Sequence, residues 1–198
     1  GSLNDVIYPA GLLQPPFLDP NADAAVNYGG VGAFMASSIA GLLNDHHHDG
    51  SGREVEWFAP DEVAAFQREG RKLSAQYAEF EPLPGLHVNG DQTLGGSLAD
   101  RGGLVVALEA YHRSLNGQPA PVIDGLTGDQ RFFMGWAQFW RLKFHPEFIR
   151  NQVATDPNSP AIQRANGPER NMDEWYAAFN VQPGDRLYVA PEQRVRIW

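Results

Sequence analysis

The sequence predicts a mainly α-helical fold with short peripheral β-strands. Three features point there. Residues 27–49 are the most apolar part of the chain, and on a helical wheel Val31, Phe34, Met35, Ile39, Leu42 and Leu43 point in nearly all directions. A helix apolar all round is predicted to be buried. Three further stretches, 60–80, 93–115 and 125–144, carry apolar residues at helical spacing. The strand signals, by contrast, are short and scattered.

Taken in order, Val6-Ile7-Tyr8 reads as a strand closed by Pro9, and the prolines at 15, 16 and 20 force an extended path. The central helix follows, from Asn27 to about Asp45. Its interior holds Ser37, Ser38 and Gly41; Ser37 and Gly41 are four apart and share a face. His46, His47, His48, Asp49 and Gly50 form a polar turn. Pro60, with Asp61 and Glu62 beside it, starts a helix with Val63, Phe66, Leu73, Tyr77 and Phe80 as its buried stripe. Residues 86–88 read as a strand. The helix over 93–115 comes next, then 125–144, with Thr127 as N-cap and Phe132, Phe133, Trp136, Phe139 and Trp140 on the apolar face. A short helix follows Pro146, and Ser159-Pro160 starts another. Asn171 and Glu174 have the spacing of a capping box.

The totals exclude several functions. A formal net charge of -9 argues against nucleic-acid binding, which draws its affinity from basic patches. No apolar run is long enough to span a bilayer. The absence of cysteine removes disulfides and thiolate metal sites and is of bacterial type. With 198 residues, one sizeable core or a tight two-lobed domain is expected. Gly1-Ser2 reads as an expression scar before a domain over residues 3–198, and a leader removed there would imply export. The compartment is otherwise open.

Local motifs leave little conventional chemistry. Ser37 and Ser38 lie mid-helix, without the strained Gly-x-Ser-x-Gly turn of a serine nucleophile. Gly29-Gly30-x-Gly32 lacks the spacing and preceding strand of a dinucleotide fingerprint. Asp45, His47, Asp49, Gly50 and Glu56 match a calcium loop in part, but Gly52 and Arg53 break the pattern, and a solvated loop is the better reading. The same loop offers His46, His47 and His48 to adventitious metal. His87, His112 and His145 show no ligand spacing.

Longer motifs carry a resemblance. Pro9 to Phe17 (Pro-Ala-Gly-Leu-Leu-Gln-Pro-Pro-Phe), Asn27-Tyr28-Gly29-Gly30-Val31-Gly32, Thr93-Leu94-Gly95 with Ala99-Asp100 and Gly102-Gly103-Leu104, the Asp129-Gln130-Arg131-Phe132-Phe133 run, and the ending Pro-Glu-Gln-Arg-Val-Arg-Ile-Trp resemble the C-terminal catalytic part of the neprilysin family of zinc metallopeptidases. The resemblance runs from Val6 to Trp198 and implies a thermolysin-like helical scaffold. In that family a His-Glu-x-x-His helix and a later glutamate hold zinc. Here the two histidines fall on Ser37 and Gly41, the glutamate base on Ser38, the third ligand on Gly96, and the later aspartate of the helix on Asn44. The family's transition-state histidine falls on Asn158. Its substrate-binding arginine is matched by Arg164. Asp100 matches an aspartate that orients a zinc histidine; with that histidine gone, it is expected to pair with Arg101 or Arg164.

The expectation is a non-catalytic homologue without zinc. It keeps a peptide-sized groove near Phe17, Phe139, Trp140 and Arg164, and it binds a peptide or protein, associates with itself, or pairs with a separate N-terminal lobe. The alternative is an active zinc metalloendopeptidase domain with non-standard ligands.

Overall fold

In the computed structural model, which describes residues 6–42, 49, 51–53, 55 and 58–197, helices make up most of the chain. They are α1 (Ala24–Asn27), α2 (Ala33–Leu42), α3 (Pro60–Ala78), α4 (Leu94–Ser114), α5 (Gly128–Phe139), α6 (Pro146–Thr155), α7 (Ala161–Glu169) and α8 (Asp173–Phe179). Among the described residues no helix is long and apolar enough to cross a membrane.

The central helix departs from expectation at both ends. It starts earlier, at Ala24, and the five residues Tyr28–Gly32 form a π turn between α1 and α2. Glycines explain this. Helix α5 crosses the turn with backbone against backbone: a methyl group at Gly135 would sit 2.7 Å from the Val26 carbonyl oxygen, and one at Gly29 would collide with the Phe132 carbonyl. A wide π turn accommodates that crossing, and such turns cluster where function does. Residues 43–48 lie outside the described part, so the expected end near Asp45 does too.

Helix α2 is also less buried than its composition predicts. Ala33, Ser37 and Ala40 are buried, but Ile39 is 55% exposed. The buried side meets α4 at a tight crossing, where a methyl group on Gly103 would lie 2.6 Å from the Cα of Ser37. Phe34 packs on Phe139 and Trp140 and Tyr8 bonds to Met35, while Ile39 and Leu42 stay exposed among the described residues.

The strands shrink to two isolated bridges among the described residues, Leu83 with Leu86 and Ile123 with Leu126. Residues 6–8 pair with no strand in the described part; Tyr8 instead donates its hydroxyl to the Met35 carbonyl at 2.7 Å.

Helix α5 begins where Thr127 predicts. Its Oγ1 accepts from the Gln130 N–H at 3.2 Å, and Gln130 returns an acceptor to the Thr127 N–H at 2.9 Å. It ends at Phe139, earlier than expected, with Trp140 already off helical geometry (ψ 9°). Helix α3 starts at Pro60 with Glu62 accepting from the Ala59 N–H at 2.8 Å.

The Asn171–Glu174 capping box does not form. Met172 is the N-cap of α8 and contributes no side-chain bond. Asn171 is buried, and its carboxamide is spent elsewhere. It donates to Gln76 Oε1 (2.8 Å) and the Gly167 carbonyl (3.1 Å), and it accepts from the Val195 N–H (2.8 Å). A buried amide bonds in full or costs heavily. Here it ties α3, α7 and the C-terminal segment together.

Two apolar clusters result. The larger gathers Leu104, Leu108, Tyr111, Phe132, Phe133, Trp136 and Trp175 from α4, α5 and α8. The smaller joins Leu73, Tyr77, Val88, Leu98, Val195 and Ile197. Helix α4 serves both, which fixes α2 and α7 on either side of it.

Candidate functional site

Helices α2, α4 and α7, with the segment before α7, enclose a cavity of about 490 Å³ lined by Phe34, Ser37, Ser38, Gly41, Gly96 and Arg164 together with Gln92, Pro157 and Asn158. Three segments separated widely in sequence (Ser37, Ser38 and Gly41; Gly96; Asn158) thus face one space, with Arg164 on its wall.

Each lining group has a defined state. The Ser37 and Ser38 hydroxyls both donate to the Phe34 carbonyl, at 2.8 and 3.2 Å. This back-bonding within a helix is the ordinary fate of a mid-helix serine. Gly41 lies against Ala99. Asn158 is held by Asp156, whose Oδ1 accepts from the Asn158 N–H at 2.8 Å and from its Nδ2 at 3.2 Å. Its Oδ1 then occupies the space above Gly96: a methyl on Gly96 would lie 2.5 Å from that oxygen. Gln92 donates to the Asp156 carbonyl at 2.8 Å, which fixes the same loop.

Asp100 pairs with Arg164 rather than Arg101. Arg164 donates from Nε to Oδ2 at 2.8 Å and from Nη2 to Oδ1 at 2.7 Å, a bidentate clamp. Arg101 donates to the Ile197 carbonyl at 2.9 Å instead. Burial pushes the Asp100 carboxyl above its ordinary range, and Arg164 opposes that shift. The Arg164 guanidinium also lies over Trp140, 3.9 Å from the ring centroid. Anchored on both sides, it has no hydrogen bond from Nη1 among the described residues.

The aromatic residues divide between two spaces. Phe17 and Phe139, with ring centroids 5.6 Å apart, line a neighbouring hollow of about 300 Å³ with Arg141 and Leu142. Phe34 stacks on Phe139 at 4.9 Å and meets Trp140 edge-on at 6.2 Å, so it forms the wall between hollow and cavity. Phe139 thus lines the hollow and Arg164 the cavity, with Trp140 in contact with both side chains. Sequence reasoning passed over Phe34 and Gln92 as site residues; the register of Phe34, four before Ser38, was the available signal for the former.

Asn44, His46, His47 and His48 lie outside the described residues. Asp49 caps its own turn, with Oδ1 accepting from the Ser51 N–H (2.8 Å) and the Arg53 N–H (3.1 Å). That matches a structural loop better than a calcium ligand.

The model of peptidase family M13 matches residues 1–195, and the chain belongs to that family. Human neprilysin is 33% identical over 203 aligned residues, covering 98% of this chain and 27% of neprilysin. The neutral endopeptidase of Lactococcus lactis is 31% identical, with 98% and 30% covered. Among solved structures, the Mycobacterium tuberculosis zinc metalloprotease Zmp1 in complex with inhibitor superposes with a TM-score of 0.91 at 47% identity, covering 96% of this chain and 30% of that one. The chain thus spans less than a third of these relatives' length.

Zinc takes imidazole, thiolate or carboxylate ligands. The side chains lining this cavity offer hydroxyl, carboxamide and guanidinium; of the carboxylates behind it, Asp100 has both oxygens bonded to Arg164 and Asp156 holds Asn158. That donor set does not fit a zinc ion. Among the described residues no group of three His, Cys, Asp or Glu side chains is placed to hold a metal.

Proposed function

We propose that this chain is a non-catalytic member of family M13 that binds a peptide or protein segment without zinc. The observation that carries this reading is the cavity lining. The positions Ser37, Ser38, Gly41, Gly96 and Asn158 converge there, and none of them is a zinc ligand or a general base. Metal-assisted peptide hydrolysis needs an ion to polarise the carbonyl and a base to take a proton from water. Ser37 and Ser38 donate hydrogen bonds to the Phe34 carbonyl and have no base beside them among the lining residues. What remains is recognition. Arg164 Nη1 offers donors, while Asn158 Oδ1 and the serine oxygens offer acceptors, the complement of a peptide group's C=O and N–H.

Calorimetric titration with zinc, followed by assay of a mixed peptide library with and without chelator, tests this. The expected result is no stoichiometric zinc and no chelator-sensitive cleavage. Stoichiometric zinc with cleavage abolished by chelator would overturn it and support the rival reading, a metalloendopeptidase with non-standard ligands. Repeating the titration on a variant lacking His46, His47 and His48 separates loop metal from cavity metal.

A further inference from the structure

The chain carries three Asn-Gly pairs, Asn89-Gly90, Asn116-Gly117 and Asn166-Gly167. Such a pair is open to attack by the glycine nitrogen on the preceding carboxamide. Glycine sets no side chain beside the nucleophile and lets the main chain turn. The fold gives the three pairs different surroundings. Asn166 and Gly167 lie inside α7, and Gly167 is buried against the Tyr77 hydroxyl. Attack there would require the main chain to leave helical geometry against that packing. Asn89 is exposed but pinned. Its Oδ1 accepts from the Gln92 N–H at 3.1 Å, and its carbonyl accepts from the Thr93 N–H at 3.1 Å. Gly90 is buried, with the Ser74 carbonyl where a side chain would stand.

Asn116-Gly117 is the open pair. It follows α4 in a turn where both residues have positive φ, 51° and 76°. Asparagine and glycine tolerate that geometry better than other residues. Both are exposed, and nothing lies within 4 Å of the point where a Gly117 side chain would start. The Gly117 N–H has no acceptor among the described residues. The Asn116 carboxamide makes one exposed hydrogen bond, from Nδ2 to the Ser114 carbonyl at 3.2 Å. Turning the Asn116 main chain toward its own side chain therefore disturbs one closing bond, from the Gln118 N–H to the Leu115 carbonyl at 2.9 Å, and no buried contact. Openings of that size cost far less than global unfolding.

We propose that Asn116 is a site of spontaneous deamidation through a cyclic imide formed with Gly117. The Gly117 nitrogen bonds to Asn116 Cγ and gives up its proton. The Cγ–Nδ2 bond breaks, and ammonia leaves with that proton. Water then opens the ring. Opening at the Cγ carbonyl leaves aspartate. Opening at the main-chain carbonyl leaves isoaspartate, and the chain then runs on through the former side chain. Either product adds one negative charge just past the C-terminal end of α4. The helix dipole is already negative there, and His112 and Arg113 are the basic residues of that last turn. The change falls on the helix that also carries Gly96 and Ala99 of the cavity wall.

The test incubates the intact chain at neutral and mildly alkaline pH, then maps its peptides by mass spectrometry with electron-transfer fragmentation, which separates aspartate from isoaspartate. A gain of about one dalton is expected at Asn116. It should appear several-fold faster there than at Asn89 or Asn166, and faster as pH rises, because the attacking nitrogen must lose its proton. In urea the three rates should converge, since only the fold distinguishes the sites. Asn116→Gln should remove the fast-forming acidic species seen on ion exchange. Its dichroism should match the parent, because the side chain is exposed. Three results would overturn the proposal: conversion at Asn89 or Asn166 in the folded chain as fast as at Asn116; a ranking that persists unchanged in urea, which would place its cause in the neighbouring residues; or an acidic species that survives Asn116→Gln. A folded chain that keeps the Asn116 amide while the urea-unfolded chain loses it refutes the proposal as well.

Discussion

Replacing Arg164 with methionine isolates the energetics of the cavity wall. Asp100 is 1% exposed and receives both of its described donors from Arg164, whose side chain is 17% exposed. Methionine keeps a stem over Trp140 but removes the guanidinium, leaving a buried carboxylate alone. Breaking one half of such a pair costs about 3–5 kcal/mol. A second route to the figure uses the proton. To stay buried the orphaned carboxyl must become neutral, at about 1.36 kcal/mol per pH unit above its ordinary pKa of about 3.9; because burial already raises the parent carboxyl, the resulting figures of about 4 kcal/mol at about pH 7 and about 1.5 kcal/mol at about pH 5 are upper bounds on the deficit. The sign follows from the raised folded-state pKa. The variant's stability is fully present below the unfolded pKa and is lost as pH rises through the folded one. Urea unfolding followed by tryptophan fluorescence should therefore show a deficit for R164M that grows from about pH 5 to about pH 7. The double variant D100N/R164M, with no charge left, should show a deficit that does not change with pH. A loss under about 1 kcal/mol at about pH 7, flat with pH, would refute the idea that Arg164 compensates a buried Asp100 charge.

Other outcomes follow from the same geometry. Gly103→Ala places a methyl 2.6 Å from the Ser37 Cα, a contact with backbone that cannot rotate away; differential scanning calorimetry should show a loss of about 1–3 kcal/mol, and an unchanged midpoint would mean that α2 and α4 cross more loosely. Restoring ligands in S37H/G41H/G96E should yield weak zinc binding by calorimetry while Asn158 remains, because its Oδ1 fills the space over Gly96; adding N158A should tighten it at least tenfold, and equal affinity in the two variants would count against that obstruction. Asp173 works in the opposite pH direction from Asp100. Burial alone would raise its carboxyl, but hydrogen bonds from Arg194 and Arg196 outweigh it and hold the pKa below the ordinary value. Its stabilisation is thus present above the usual aspartate range and lost as pH falls through the depressed pKa, so Asp173→Asn should lower the urea midpoint at neutral pH and match the parent in strong acid; a deficit that persists in acid would mean the amide disturbs packing instead.

The sequence by itself determined the helices and the frame of the site. Apolar spacing placed α3, α4 and α5 to within a few residues, and Thr127 marked the start of α5, because capping and periodicity are local effects carried by neighbours in the chain. Motif order placed Ser37, Ser38, Gly41, Gly96 and Asn158 at equivalent positions of one family frame before any contact was known. Only the tertiary structure decided how those residues are used. Asn171 and Glu174 had the spacing of a capping box, yet Asn171 bonds Gln76 and Val195, since a buried amide takes whichever partners the packing of α3, α7 and the C-terminal segment supplies. Asp100 had two candidate arginines; the crossing of α4 with α7 brought Arg164 and turned Arg101 toward Ile197. Helix α2 is apolar enough to be enclosed, but Ile39 and Leu42 stay exposed among the described residues. Local pattern fixes which faces of a helix favour burial, whereas the partner that covers a face, or answers a charge, is set by segments distant in the chain, whose approach periodicity does not encode.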